Sequence, residues 1–197
     1  MSFLPVTMTR DDSIIALRND YQELLSTFNP HVVQISRESA PLGAMCLLKV
    51  RVIAPTFMLQ SENDATPKSV GELTFFVKVL EGYPQVKPLV YYPPQRMLAS
   101  VNVFPNGHQC TDEWLINSSL RSLVEKTARD IAHDPCVTRF DSMANRKVEE
   151  WQREMFRRKA FPTIDLKDLF AVRSPAPMPP NASRGAAGGP VPLPGKR

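Results

Sequence analysis

Cys110 follows Asn102 by eight residues, and the intervening Pro105-Asn106-Gly107 is a turn sequence that can bring the Asn102 carboxamide back towards the thiol. A thiol beside an amide donor suits acyl transfer: sulfur carries the acyl group as a thioester, and the amide N–H steadies the oxyanion formed on attack. Each residue also has a structural reading. A lone cysteine serves equally as a small buried hydrophobe, and Asn102 equally as an amide that bonds the loop backbone. His108, two residues before the cysteine, invites a thiol-protease reading. In extended chain it shares a side with Cys110 yet lies beyond direct hydrogen-bond reach, and no Asp partner is assignable, so a surface loop histidine is expected. Asp112 and Glu113 follow the thiol and suit either attraction of an incoming amine or simple solvation.

The elements that must position these residues are readable from periodicity. Ile14, Leu17, Tyr21, Leu24 and Phe28 recur at helical spacing, with Thr9 and Asp12 as a capping box, which predicts a helix from about Asp11 to Phe28 stopped by Asn29-Pro30. Strands are expected at His31 to Arg37 and at Met45 to Ile53, the second burying Cys46, Leu48, Val50 and Val52 on one face. A polar loop, 54–70, leads to a strand from Glu72 to Leu80, then the turn Gly82-Tyr83-Pro84 and a short strand from Leu89 to Tyr92 that Pro93-Pro94 ends. One helix and four consecutive, closely linked strands imply an α+β domain built on an antiparallel meander. After Cys110, Leu120, Leu123, Val124, Thr127 and Ile131 form a helical stripe capped by Ser118 or Ser119 and ended by Asp134-Pro135. A last helix is expected from Ser142 to Lys159, with Ala144, Val148, Trp151 and Met155 on its apolar face and a solvated charged face opposite. A further short helix is expected within Phe161 to Phe170, docked on the body.

Residues 1–170 therefore read as one domain, and 171–197 as a disordered tail, since seven prolines and four glycines in that stretch leave too little apolar surface to offset the entropy of ordering. The net charge of +4 comes from Arg173, Arg184, Lys196 and Arg197 in the tail; acids and bases balance in the rest. No basic patch interleaved with aromatics marks a nucleic-acid surface. No apolar run is long enough to cross a membrane, and Met1 to Arg10 lack the pattern of a secretory signal. Cys46, Cys110 and Cys136 are odd in number and widely spaced, which fits neither a disulfide framework nor a metal site and suits a reducing cytoplasm. Cys46 is expected in the core and Cys136 as a bystander.

Three pieces in this order resemble the ubiquitin-conjugating enzymes, over about residues 11 to 159. Glu81-Gly82-Tyr83-Pro84-Gln85-Val86-Lys87-Pro88 is similar to the family's Tyr-Pro-x-x-x-Pro turn. Aligned on Cys110, the family's His-Pro-Asn falls on Ser100, Val101 and Asn102, and its glycine on Gly107. Trp114 and the helix running to Asp134-Pro135 match the family's Trp, helix and Asp-Pro. The chain departs from the pattern where Ser100 and Val101 replace the histidine and proline that brace the asparagine, and where the loop after the nucleophile is shortened, as in the bacterial conjugating proteins. Phe104-Pro105-Asn106 is a second, less well-placed copy of the motif.

The resemblance implies the ubiquitin-conjugating fold: N-terminal helix, four-stranded antiparallel meander, active-site segment, then C-terminal helices. It implies that Cys110 accepts a ubiquitin-like modifier as a thioester from an activating enzyme and passes it to a lysine of a target protein, without a cofactor or metal. By the same resemblance Asn102 is the oxyanion donor, Asp141 is the nearest candidate for the family's acidic gate, which has no clean counterpart, and the first helix and Phe104-Pro105 face the activating enzyme and any ligase; Asp112 is an accessory acid by its position beside the nucleophile alone. The rival reading is a catalytically inactive variant of the fold that binds a modifier or partner as a scaffold.

Overall fold

The computed structural model describes residues 9–170 apart from 62, 64, 65, 112, 116, 117 and 163, so the expectations for the tail and for Asp112 lie outside the described residues. The chain opens with α1 (Arg10–Thr27), where Thr9 caps the first turn: its hydroxyl accepts from the Asp12 N–H and the Asp12 carboxylate accepts from the Thr9 N–H. Leu17 and Leu24 are buried, whereas Ile14 and Ile15 on the flank remain exposed.

The principal sheet contains β1 (Val33–Glu38), β2 (Ala44–Val52), β5 (Leu73–Leu80) and β6 (Leu89–Tyr91) in that order, all antiparallel. Alternation along the central strands places Cys46, Leu48, Val50 and Val52 of β2 and Leu73, Phe75, Val77 and Val79 of β5 in the core. Within the stretch read as a polar loop, β3 (Thr56–Leu59) and β4 (Lys68–Val70) instead pair as a hairpin. β3 also pairs with the two-residue β7 (Met97–Leu98), making a second, smaller sheet. Burial at Thr56 and Leu59, with the intervening pair only half-buried, explains why no alternating signature marks β3.

The polypeptide then forms the segment around Cys110, followed by α2 (Leu120–Ile131), capped by Ser119. Asp20 of α1 joins the two helices to the turn after β5: its carboxylate accepts from the Leu120 N–H and from the hydroxyl of the fully buried Tyr83. The final helix is shorter than its sequence suggests: a 3-10 turn at Arg146–Val148 leads into α3 (Glu149–Arg157). Before it, the Ala144 and Asn145 N–H groups donate to the Val101 carbonyl at 2.7 and 3.1 Å, so 142–145 is tied to the central segment rather than coiled. A 3-10 turn at Leu166–Leu169 docks as expected, with Leu169 buried and Phe170 stacked on Phe28 at 5.9 Å between ring centres. The described residues thus form an α+β unit with an N-terminal helix, antiparallel sheet and C-terminal helices. No helix among them is long and apolar enough to cross a membrane.

Candidate active site

The segment carrying Cys110 is a small hairpin laid against the edge of the principal sheet. Its two limbs meet at the Val103–Gln109 bridge, and the Cys110 N–H donates to the Asn102 carbonyl at 2.6 Å. The Phe104 N–H donates to the His108 carbonyl and the Gly107 N–H to the Phe104 carbonyl, each at 2.8 Å, closing the turn. Gly107 has a φ of +85°, and a Cβ there would come within 2.9 Å of the Tyr92 carbonyl oxygen. This turn therefore requires glycine on two counts. The returning limb adds to β6 through the Gln109 N–H to the Val90 carbonyl and the Tyr92 N–H to the Gly107 carbonyl, both 2.9 Å.

Beneath this hairpin lies Asp130, fully buried on α2. One carboxylate oxygen accepts from the Ser100 hydroxyl at 2.9 Å and the Asn102 amide at 3.1 Å, and the other accepts from the Gln109 amide at 2.8 Å. Ser100 also accepts from the Asn102 N–H at 3.1 Å, and Gln152 of α3 accepts from the Val101 N–H at 2.8 Å. Burial pushes the Asp130 carboxyl up to about 6, against the opposing pull of Gln109, Ser100, Asn102 and the Lys126 charge.

Cys110 itself is half-buried, at the end of this anchored limb. Cys46 is buried in the core, where burial pushes its thiol up, and Cys136 is exposed on the loop after α2. The Lys87 ammonium donates at 3.0 Å to the carbonyl of Thr111, the residue after Cys110. Cys110 does not line the open cavity of about 780 Å³ that His133, Phe140, Phe156 and Phe161 border elsewhere. Its surroundings are those of a surface hairpin.

The Asn102 carboxamide is directed differently from the sequence expectation. Its two N–H groups are both committed, to Asp130 and to the Val137 carbonyl at 3.0 Å, and its oxygen accepts from the Arg139 N–H at 3.2 Å. It joins the Cys110 hairpin to α2 and to the following loop, with no donor left over for an oxyanion in this arrangement. Asp141 is exposed and pairs with Arg139 at 3.4 Å, which holds its carboxyl below the usual range. His108 lies beside Tyr91, with ring centres 6.0 Å apart. Trp114 is half-buried over the Tyr83-Pro84 turn and donates its indole N–H to the Pro84 carbonyl at 2.5 Å. Among the described residues no three His, Cys, Asp or Glu side chains converge as a metal site.

No family model and no curated protein matches the chain. Sequence reasoning missed Asp130, Gln109, Ser100 and Gln152 as a group. A signal was present: Asp130 sits three residues after Thr127, on the apolar stripe of α2, where an acid must find donors or leave.

Proposed function

We propose that the chain has the ubiquitin-conjugating fold and transfers a ubiquitin-like modifier through a thioester on Cys110. The observation that carries this reading is that Cys110 is half-buried at the end of a limb whose backbone bonds the sheet edge and whose Gln109 side chain bonds α2, while Cys46 is enclosed in the core. In the first step the Cys110 thiolate attacks the modifier's thioester on an activating enzyme, and the activating enzyme's thiolate departs. In the second, a lysine amine of the target protein attacks, loses a proton, and expels Cys110 as thiolate to leave an isopeptide bond. Proximity in such a complex contributes roughly 7–11 kcal/mol, which suffices without unusual thiol chemistry.

Asn102 serves this chemistry first as a brace. Its carboxamide is planar, so turning one N–H from the Val137 carbonyl would also move the other off Asp130 and the oxygen off the Arg139 N–H; at rest it holds the hairpin rather than an oxyanion. Exposed Phe104, Ile14 and Ile15 fit the faces that meet the activating enzyme or a ligase. The competing scaffold reading draws on the same Asn102 amide, whose donors are all occupied at rest.

The deciding experiment offers the protein a ubiquitin-like modifier activated as a C-terminal thioester. A thiol-labile adduct is expected on wild type and on the C46A/C136A variant, and none on C110A. An adduct that survives C110A, or no adduct on any form, refutes transfer through Cys110.

A further inference from the structure

We propose that Asp130 is the positioning residue of the Cys110 hairpin, its ionised carboxylate fixing both limbs by accepting from Ser100, Asn102 and Gln109 at once. The proposal rests on the thioester reading above and extends it to a residue remote in sequence. The three donors come from one ten-residue stretch, whereas the acceptor comes from α2. The carboxylate therefore ties the outgoing limb (Ser100, Asn102) to the returning limb (Gln109) one residue before the thiol. Hydrogen bonds to a charged acceptor are roughly twice as strong as neutral ones, and burial removes the water that would compete.

The pairing is sensitive to one proton. A carboxylate only accepts; a protonated carboxyl must also donate. Facing Asp130, the Gln109 side chain donates through Nε2 while its Oε1 is buried with no hydrogen-bond partner among the described residues. If Asp130 gains its proton on the oxygen facing Gln109, that amide turns over and accepts through Oε1. The arrangement thus has two states, and the one with ionised Asp130 holds Gln109 as seen here. Burial places this change near pH 6. The charged and titratable groups around the carboxylate are Lys126, one turn earlier on α2, and the buried Tyr92 after β6. Tyr92 stays protonated through burial and, secondarily, the Asp130 charge. From the loop after α2, Arg139 reaches the cluster through its backbone N–H on Asn102, and its guanidinium pairs with Asp141.

The test uses the full chain in the C46A/C136A background and compares it with D130N, which keeps the volume and can accept at one atom only. By NMR, the side-chain amide signals of Gln109 and Asn102 are expected to titrate with a midpoint near pH 6 in the parent and to stay fixed in D130N. With a ubiquitin C-terminal thioester as probe, the rate of adduct formation in the parent should fall more steeply than tenfold per pH unit below pH 6. In D130N it should follow thiol ionisation alone and be about tenfold slower than the parent at pH 7.5. Amide signals that do not move between pH 4.5 and 7.5, or that move equally in D130N, overturn the proposal. So does a D130N variant with the parent's rate and pH slope. Should no adduct form at all, the transfer reading fails while the amide titration still decides the role of Asp130.

Discussion

Replacing Asp130 with asparagine changes how stability depends on pH, and the direction follows from two buried groups. Burial raises the Asp130 carboxyl from 3.8 to about 6. The folded protein therefore holds this proton more tightly than the unfolded chain, so the associated stability is present below pH 4 and is lost as pH rises towards 6. His133 works the other way. Burial lowers its imidazole from 6.5 to about 3. Its Nε2 bonds the Thr56 hydroxyl at 3.2 Å, and that hydroxyl in turn donates to the Ile131 carbonyl at 2.7 Å. The neutral ring stabilises the fold above pH 6.5, and that stability is lost as pH falls towards 3. Each group contributes a slope of about 1.4 kcal/mol per pH unit, and across pH 4 to 6 the slopes have opposite signs. In wild type they largely cancel. D130N removes one of them, so acidification from pH 6 to 4 should cost the variant about 3 kcal/mol more than wild type. Urea denaturation at half-unit pH steps measures this difference, and the contributions of Asp134, Glu72, Asp12 and Asp141, whose carboxyls are held low, drop out of the subtraction. A difference between variant and wild type that is constant from pH 4 to 6 refutes the reasoning.

Gly107→Ala should destabilise by about 2 kcal/mol or more in urea, because the left-handed backbone and the approach to the Tyr92 carbonyl both oppose a Cβ; a change under 0.5 kcal/mol would show that the turn rearranges freely. Tyr83→Phe removes the hydroxyl that donates to Asp20, and a loss of about 1–2 kcal/mol is expected from the same measurement. Thr9→Ala removes the cap of α1 and should cost about 1 kcal/mol, with Thr9→Ser restoring most of it.

The parts legible in the sequence are those with local causes. The Thr9–Asp12 capping box announces α1, alternation announces β2 and β5, and the burial of Cys46 follows from its strand face. The small sheet was hidden because β3 and β7 are too short to show a period and depend on one another across almost forty residues. Ala144 continues the helical spacing of Val148, Trp151 and Met155, which extends the expected helix back over 142–145. A distant acceptor, the Val101 carbonyl, takes its N–H groups instead. The position of Cys110 after a glycine turn was legible, since Gly107 carries its own conformational signature. The orientation of Asn102 was not. Its partners Asp130, Val137 and Arg139 lie 28 to 37 residues away, and only the packed α2 brings them to it.

That packing also bears on why a charge is buried beneath the hairpin that carries Cys110. An apolar side chain at 130 would avoid the desolvation of a carboxylate, but it would leave the Ser100 hydroxyl and the Asn102 and Gln109 amides short of a buried acceptor. Removing one donor leaves two in place, whereas removing the acceptor strands all three. Single substitutions at Ser100 or Gln109 should therefore be mild, and their combination should exceed the sum, because each donor helps hold the limb that presents the other. A purely passive core would show the opposite: Ser100→Ala and Gln109→Leu would add independently, since their contacts with α2 would then be separate packing events.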